Sequence, residues 1–202
     1  MSTVDGGPVD GRSARAERTR TAIVDAVLEL LSEGDFQPTA NRIAERAGIS
    51  LRLIYHHFGD LESLYRAVGQ RSNERLIERT HRIPVDQPLD ARIEQLVAQR
   101  CDVLEWLTPI MRAAQINIGA SAGALTRRNV LHSRGEREVD VVFAPELGPL
   151  DAHERQIVVS ALNGSLFWGH WDDLRTSGRS YEDAHDAVLL TIRAIFASLA
   201  DR

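Results

Sequence analysis

The 202-residue sequence predicts an all-α protein of about nine helices, a three-helix N-terminal unit followed by a larger helical domain. Three observations carry this. Apolar residues recur at helical spacing from about Ser13 almost to the end. Strict apolar/polar alternation never lasts, and the β-branched cluster Val139, Val141, Val142 is short and isolated. Glycine, proline and capping residues fall between the periodic stretches, where helices stop and start.

Residues 1–12 are mostly Gly, Asp, Ser and Pro with almost nothing to bury, and are expected to form a disordered tail. A first helix runs from about Ala14 to Glu33. Ile23, Val27, Leu30 and Leu31 form its apolar stripe, and Gly34 ends it. Thr39 caps a second, short helix with Ile43, Ala44 and Ala47 inward, stopped by Gly48. Ser50 caps a third with Leu53, Ile54 and Phe58. Asp60, after Gly59, caps a fourth carrying Leu61, Leu64, Tyr65, Val68 and Leu76.

Pro84 and Pro88 bracket a break. Beyond it the pattern predicts helices over Leu89–Leu107 and Pro109–Asn117, a small-residue joint at Gly119–Gly123, and a helix over Leu125–Arg134. A loop is expected over 135–150, then one long helix from the Asp151 cap to about Leu174. The last helix runs from the Ser180 cap to about Leu199. The domain bounds are set at 13–60 and 61–202.

A single cysteine, Cys101, excludes an internal disulfide, a four-cysteine zinc site and a CxxC motif. No apolar run nears the ~20 residues of a membrane span, and the N-terminus has no signal-peptide core, so a cytoplasmic protein without membrane contact is expected. No GxSxG, P-loop or GxGxxG is present, and no cofactor or metal is expected. His56 and His57 are adjacent on a helix and point apart. His170 and His185 lie near acids, and a solvated helix face explains them as well as a cation site does.

The most informative stretch is TANRIAERAGISLRLIYHHF, residues 39–58. Two short helices separated by a turn containing Gly48 have the layout of a helix-turn-helix. Gly48 permits the sharp turn, and Ala44 and Ala47 let the helices cross closely. Ile49 fills the angle, and the second helix protrudes far enough to enter a DNA major groove. Helical corners of a purely structural kind share this spacing.

The flanks narrow the choice. Ile23-Val24-Asp25-Ala26, Leu30-Leu31, Gly34, Phe36, Thr39, Ile43-Ala44, Ala47-Gly48-Ile49-Ser50, Ile54-Tyr55, His57-Phe58, Glu62 and Leu64-Tyr65 follow one another in an order and spacing that resembles the DNA-binding domain of the tetracycline-repressor (TetR) family, over 15–68. The resemblance implies phosphate contacts from Thr39, Tyr55 and His56, which fix register, and base reading by Ser50, Leu51 and Arg52 at the start of the third helix. Arg52 can pair bidentately with guanine. Arg42 reaches a phosphate or an edge base, and Arg12, Arg15, Arg18 and Arg20 either follow a phosphate strand or are solvated. The sequence departs from the family pattern at Arg52, usually a small residue, at Leu53, often a small hydroxyl residue, and at Leu61, often lysine.

The last two long helices present wide apolar faces. Ile157, Ala161, Val188, Ile192, Ile195 and Leu199 are expected to pair with the same helices of a second copy in a four-helix bundle, as the resemblance also implies. Trp106, Met111, Gln115, Asn117, Phe143, Asn163, Phe167 and Trp171 are candidates to line an apolar pocket with a few polar groups. Arg112, Arg127 and Arg128 either meet an acidic ligand or are simply exposed.

The expected function is a homodimeric, sequence-specific regulator, a repressor released from a pseudo-palindromic double-stranded DNA operator by a small, largely apolar effector. Two alternatives stay open: a small helical enzyme with a histidine/carboxylate site in the second domain, and a DNA-binding regulator with no ligand. The net charge of −5 splits unevenly. Residues 1–82 balance twelve arginines against twelve acids, while 83–202 carry twelve against seventeen. With no lysine in the chain, the charged contacts to DNA fall to arginine, aided by any protonated histidine.

Overall fold

The computed structural model describes residues 11–117 and 122–200; for Arg12, Asn117 and residues 122–128 it describes the backbone alone. Among the described residues there are ten helical segments and no strand. The expected tail lies outside the described residues as far as residue 10, and α1 (Gly11–Ser32) already includes positions 11 and 12.

The chain divides into two compact units, one ending at Arg75 and the other beginning at Leu76. This division falls inside α4 (Leu61–Arg79), not before it as the bounds 13–60 and 61–202 had it. The reason is local packing. Leu64 and Val68 are buried, and Arg75 donates to Asp25 Oδ1 on α1 at 2.7 Å, so most of α4 belongs with the helices before it.

In the first unit α1 packs on both α2 (Ala40–Arg46) and α3 (Leu51–Phe58). Ile23, Val27, Leu30, Leu31, Ile43, Ile54 and Leu64 are fully or almost fully buried. At ~1.5–3 kcal/mol per buried aliphatic side chain, this stripe supplies most of what orders helices too short to persist alone.

The second unit departs from the expected boundaries in three places. First, α5 (Leu89–Asn117) continues through Pro109 rather than stopping at Leu107. An internal proline costs ~3 kcal/mol. The flanking residues are held in place: the Thr108 hydroxyl bonds Leu104 O and accepts from Trp168 Nε1 at 3.2 Å, while Arg112 binds Asp172 at 2.9 Å. Second, the segment expected as a 135–150 loop is mostly helical, in α6 (Ala122–Val142) and the one-turn α7 (Ala144–Leu147). Val139, Val142 and Phe143 recur at i, i+3, i+4 and are buried, which fixes a helix across the β-branched cluster.

Third, the long helix expected from Asp151 to Leu174 is broken into α8 (Ala152–Ser165) and α9 (Trp168–Thr176). On a continuous helix residues 166 and 168 would point roughly 200° apart. The extended residue Phe167 (φ −98°, ψ 153°) lets both Leu166 and Trp168 turn into the core. The final helix, α10 (Tyr181–Ala200), lies close to its expected range. It packs against α5, α8 and α9, while α6 lies along α8, around a core that includes Leu96, Cys101, Val139, Phe143, Leu162, Trp171, Val188 and Ile192. Part of the Gly119–Gly123 joint lies outside the described residues.

Candidate nucleic-acid interface and cavity

The turn between α2 and α3 is built by hydrogen bonds that need a left-handed residue. Ala47 closes α2, Gly48 adopts φ 65°, its N–H bonds Glu45 O at 3.1 Å, and Ile49 N–H bonds Ala44 O at 3.0 Å. A residue with a Cβ at Gly48 would cost ~1–2 kcal/mol there. The turn delivers Ser50 in extended conformation at the N-cap of α3, where its side chain makes no cap hydrogen bond, unlike the expected cap.

From Ser50 onward the helix has two faces. Ile54 and Phe58 are buried, whereas Leu51 (37% exposed), Arg52, Tyr55 (45%) and His56 form one outward stripe at i, i+1, i+4, i+5. Two large apolar side chains flanking an arginine on the outer face of a two-turn helix have no packing reason within this unit. Thr39 lies exposed at the start of α2, its hydroxyl accepting from Arg42 N–H at 3.3 Å. Arg42 is exposed, with Nε 3.2 Å from Asp35 Oδ2. Arg20 does not extend outward: it donates to His57 O at 2.8 Å and its guanidinium lies 4.2 Å from the Phe58 ring centre, clamping α1 to the end of α3. Arg15 and Arg18 are exposed on α1, and the side chain of Arg12 lies outside the described residues.

The second unit contains a cavity of about 50 Å³, lined by Leu76 and Thr80, one face of α5, the 131–138 stretch of α6, and Leu166–Trp168. Of the eight expected pocket residues it gathers Met111 and Phe167. Trp171 and Phe143 are core instead. Trp171 is fully buried with Nε1 bonded to Glu105 at 3.0 Å, and Phe143 packs 4.7 Å from Phe196. Trp106 lies beneath the Arg79 guanidinium, and Gln115 is exposed. Asn163 is fully buried, donating to His132 O at 3.3 Å, but its Oδ1 has no donor. The side chains of Asn117, Arg127 and Arg128 lie outside the described residues, and Arg112 is engaged by Asp172 and Thr176.

Sequence reasoning missed the polar end of this cavity: Gln99, Arg100, Arg134 and Glu138. Gln99 Nε2 donates to Glu138 at 3.2 Å, its Oε1 accepts from His81 N–H at 2.8 Å, and Arg100 pairs with the same glutamate. Burial pulls the Arg100 pKa below the usual guanidinium value, with Glu138 opposing that shift. The signal was present: Ile93, Leu96, Arg100, Leu104, Leu107 and Met111 share one stripe of α5, so a charged residue stands in an apolar register. The adjacent Cys101 thiol is pushed up to about 12, chiefly by burial, and stays protonated and unreactive.

A family model described as "Bacterial regulatory proteins, tetR family" matches residues 23–68, the segment holding the turn and both short helices. Over that segment the chain is similar to the tetR family. The HTH-type transcriptional regulator UidR of Escherichia coli is 30% identical over 118 residues, 54% of this chain and 60% of UidR. The chain therefore spans less than two thirds of that relative. The regulator BetI of Burkholderia thailandensis is 27% identical over 157 residues, 75% of this chain and 80% of BetI. A tetR-family regulator from Streptomyces coelicolor has the same fold, with a TM-score of 0.69 at 23% identity over 92% of this chain and 83% of that one.

The expected dimer residues do not form one surface. Val188 and Ile192 are buried in the chain's own core, because the 184/188/192/196 stripe of α10 faces inward. Ile195 and Leu199 are half-buried against that core, while Ile157 (56%) and Ala161 are exposed on α8. The exposed apolar stripe of α10 is instead Leu190 (71%), Ala194 and Ala197. Among the described residues the histidines do not gather with acids into one site: His185 lies 3.2 Å from Asp186, and Asp172 is held by Arg112.

Proposed function

We propose that this protein is a homodimeric DNA-binding transcriptional repressor acting in the cytoplasm, released from a pseudo-palindromic operator by a small molecule bound in the second unit. The observation that carries the reading is the outward stripe Leu51, Arg52, Tyr55, His56 on a helix delivered by the Gly48 turn, with its opposite face fully committed to the core. Arg52 reads a base edge, Ser50 and Leu51 flank it, and Tyr55, His56, Thr39 and Arg42 contact phosphates. Exposed Ile157, Ala161, Leu190 and Ala194 support pairing through α8 and α10, which sets two recognition helices roughly one DNA turn apart, ~34–36 Å.

The ligand acts by population shift, binding more tightly to a state whose half-site spacing no longer fits the operator, by ~1–3 kcal/mol or more. The cavity is far below the ~300 Å³ of ordinary ligand pockets, so entry requires repacking of adaptable side chains such as Met111. The same small volume favours a second reading, a regulator without ligand. A selection from random duplex DNA tests the main claim. It should return a palindrome whose binding is lost on Arg52→Ala and Tyr55→Ala; only salt-sensitive, sequence-blind binding would overturn it.

A further inference from the structure

The polar end of the cavity is electrostatically unbalanced. Two guanidiniums, Arg100 on α5 and Arg134 on α6, share it with one carboxylate, Glu138, which Arg100 pairs with. Arg134 contacts the Thr80 hydroxyl at 3.4 Å, and among the described residues no carboxylate lies within ion-pair distance of it. Gly135 lets α6 pack close against this end: a Cβ there would stand 3.3 Å from Arg100 Nη1 and collide with Asn163 Oδ1. The rest of the wall is apolar, with Leu107, Met111, Leu166 and Phe167 among its residues. An uncompensated positive charge beside a partly buried guanidinium is costly and is offset by an anion that accepts from both groups.

We propose that the cavity takes a small monocarboxylate, its carboxylate held by Arg134 and Arg100 and its apolar body lying against Met111, Leu166 and Phe167. This rests on the reading of the second unit as the effector-binding unit. A carboxylate suits the donors in number and sign, since each guanidinium can give two N–H groups to one oxygen pair. A cation is repelled, and a neutral apolar molecule leaves Arg134 without a charged partner while stripping its water.

The test uses the full chain with matched probes: benzoate and hexanoate against benzamide and hexanamide. Thermal stabilisation and tryptophan fluorescence are the readouts, Trp168 being part of the wall. The acids should bind about tenfold or more tightly than the amides. Arg134→Gln should abolish that preference while leaving helical content and the melting temperature of the free protein near wild type, and Arg134→Lys should restore part of it. Amides that bind as well as the acids, or a preference surviving in Arg134→Gln, overturn the carboxylate assignment while the cavity stands as a ligand site. Failure of all four probes to bind overturns it as well. Acid binding lost in Arg134→Gln but without effect on operator affinity upholds the site and removes the release mechanism instead.

Discussion

The two units solve recognition in opposite ways. The first displays its candidate site on the outside of a two-turn helix, with contacts that mostly link residues fewer than twenty positions apart, such as Ile49 to Ala44. The second hides its candidate site among side chains brought from α5, α6 and the α8–α9 corner, with polar partners such as Arg100 and Glu138 nearly forty positions apart. A surface that must meet a regular partner can be specified by a short motif. A cavity is specified by whatever packs around it.

The largest expected effect separates core from cavity within the second unit. Trp171 lies in the core, so Trp171→Ala should cost ~3–5 kcal/mol of stability, read by chemical denaturation. It also removes the indole donor from the Glu105 carboxylate, which keeps its pair with Arg175. A loss under ~1 kcal/mol would mean that the indole borders open space, as the sequence alone had suggested.

The difference also explains what could be read in advance. The all-α class, the helix-turn-helix and the inward face Ile43, Ile54, Phe58 were legible because helical period and a glycine turn are local signals. Pro109 misled because tertiary contacts overrode its usual meaning: the proline sits inside a helix braced by Trp168 and Asp172. Aromatic content drew attention to Trp171 and Phe143, although large rings fill cores more often than pockets. The two arginines that distinguish the cavity lay unremarked on helices with ordinary apolar stripes.

A second effect sharpens the division between inner and outer faces of α10. Leu190→Glu places a charge on the exposed stripe and should weaken self-association by ~2 kcal/mol or more, seen as a monomer in analytical ultracentrifugation with a near-normal circular dichroism spectrum. Val188→Glu, two residues away but fully inward, should unfold the second unit instead. A Leu190→Glu chain that remains dimeric at low micromolar concentration would move the interface elsewhere.

On the first unit, Arg52→Ala should cost ~1–3 kcal/mol of operator affinity, concentrated at one base pair. Gel-shift competition across single-base operator variants checks this. A uniform loss over all of them, with a shallower salt dependence, would reassign Arg52 to phosphate contact.

The smallest effect tests how local the first unit's construction is. Asp60 begins α4 by accepting the Ser63 N–H at 2.7 Å. That backbone bond, with a further one from the Ser63 side chain, holds the Asp60 carboxyl below the usual carboxylate range. A pKa lower in the folded chain means that the carboxylate adds stability above the unfolded value of ~3.9 and loses it as pH falls through the folded value. Asp60→Asn keeps an acceptor at the cap without a titrating group. Its melting temperature should match wild type near neutral pH and fall less steeply than wild type below about pH 4, where wild type loses the carboxylate's contribution. Asp60→Ala should lose the cap at every pH. If Asp60→Asn is as damaging at pH 7 as Asp60→Ala, the charge at the helix start, rather than the acceptor, is what matters. A contact spanning three residues would then depend on the wider field of the unit, and the contrast between a locally built first unit and a distantly assembled second one would narrow at the point where α4 begins.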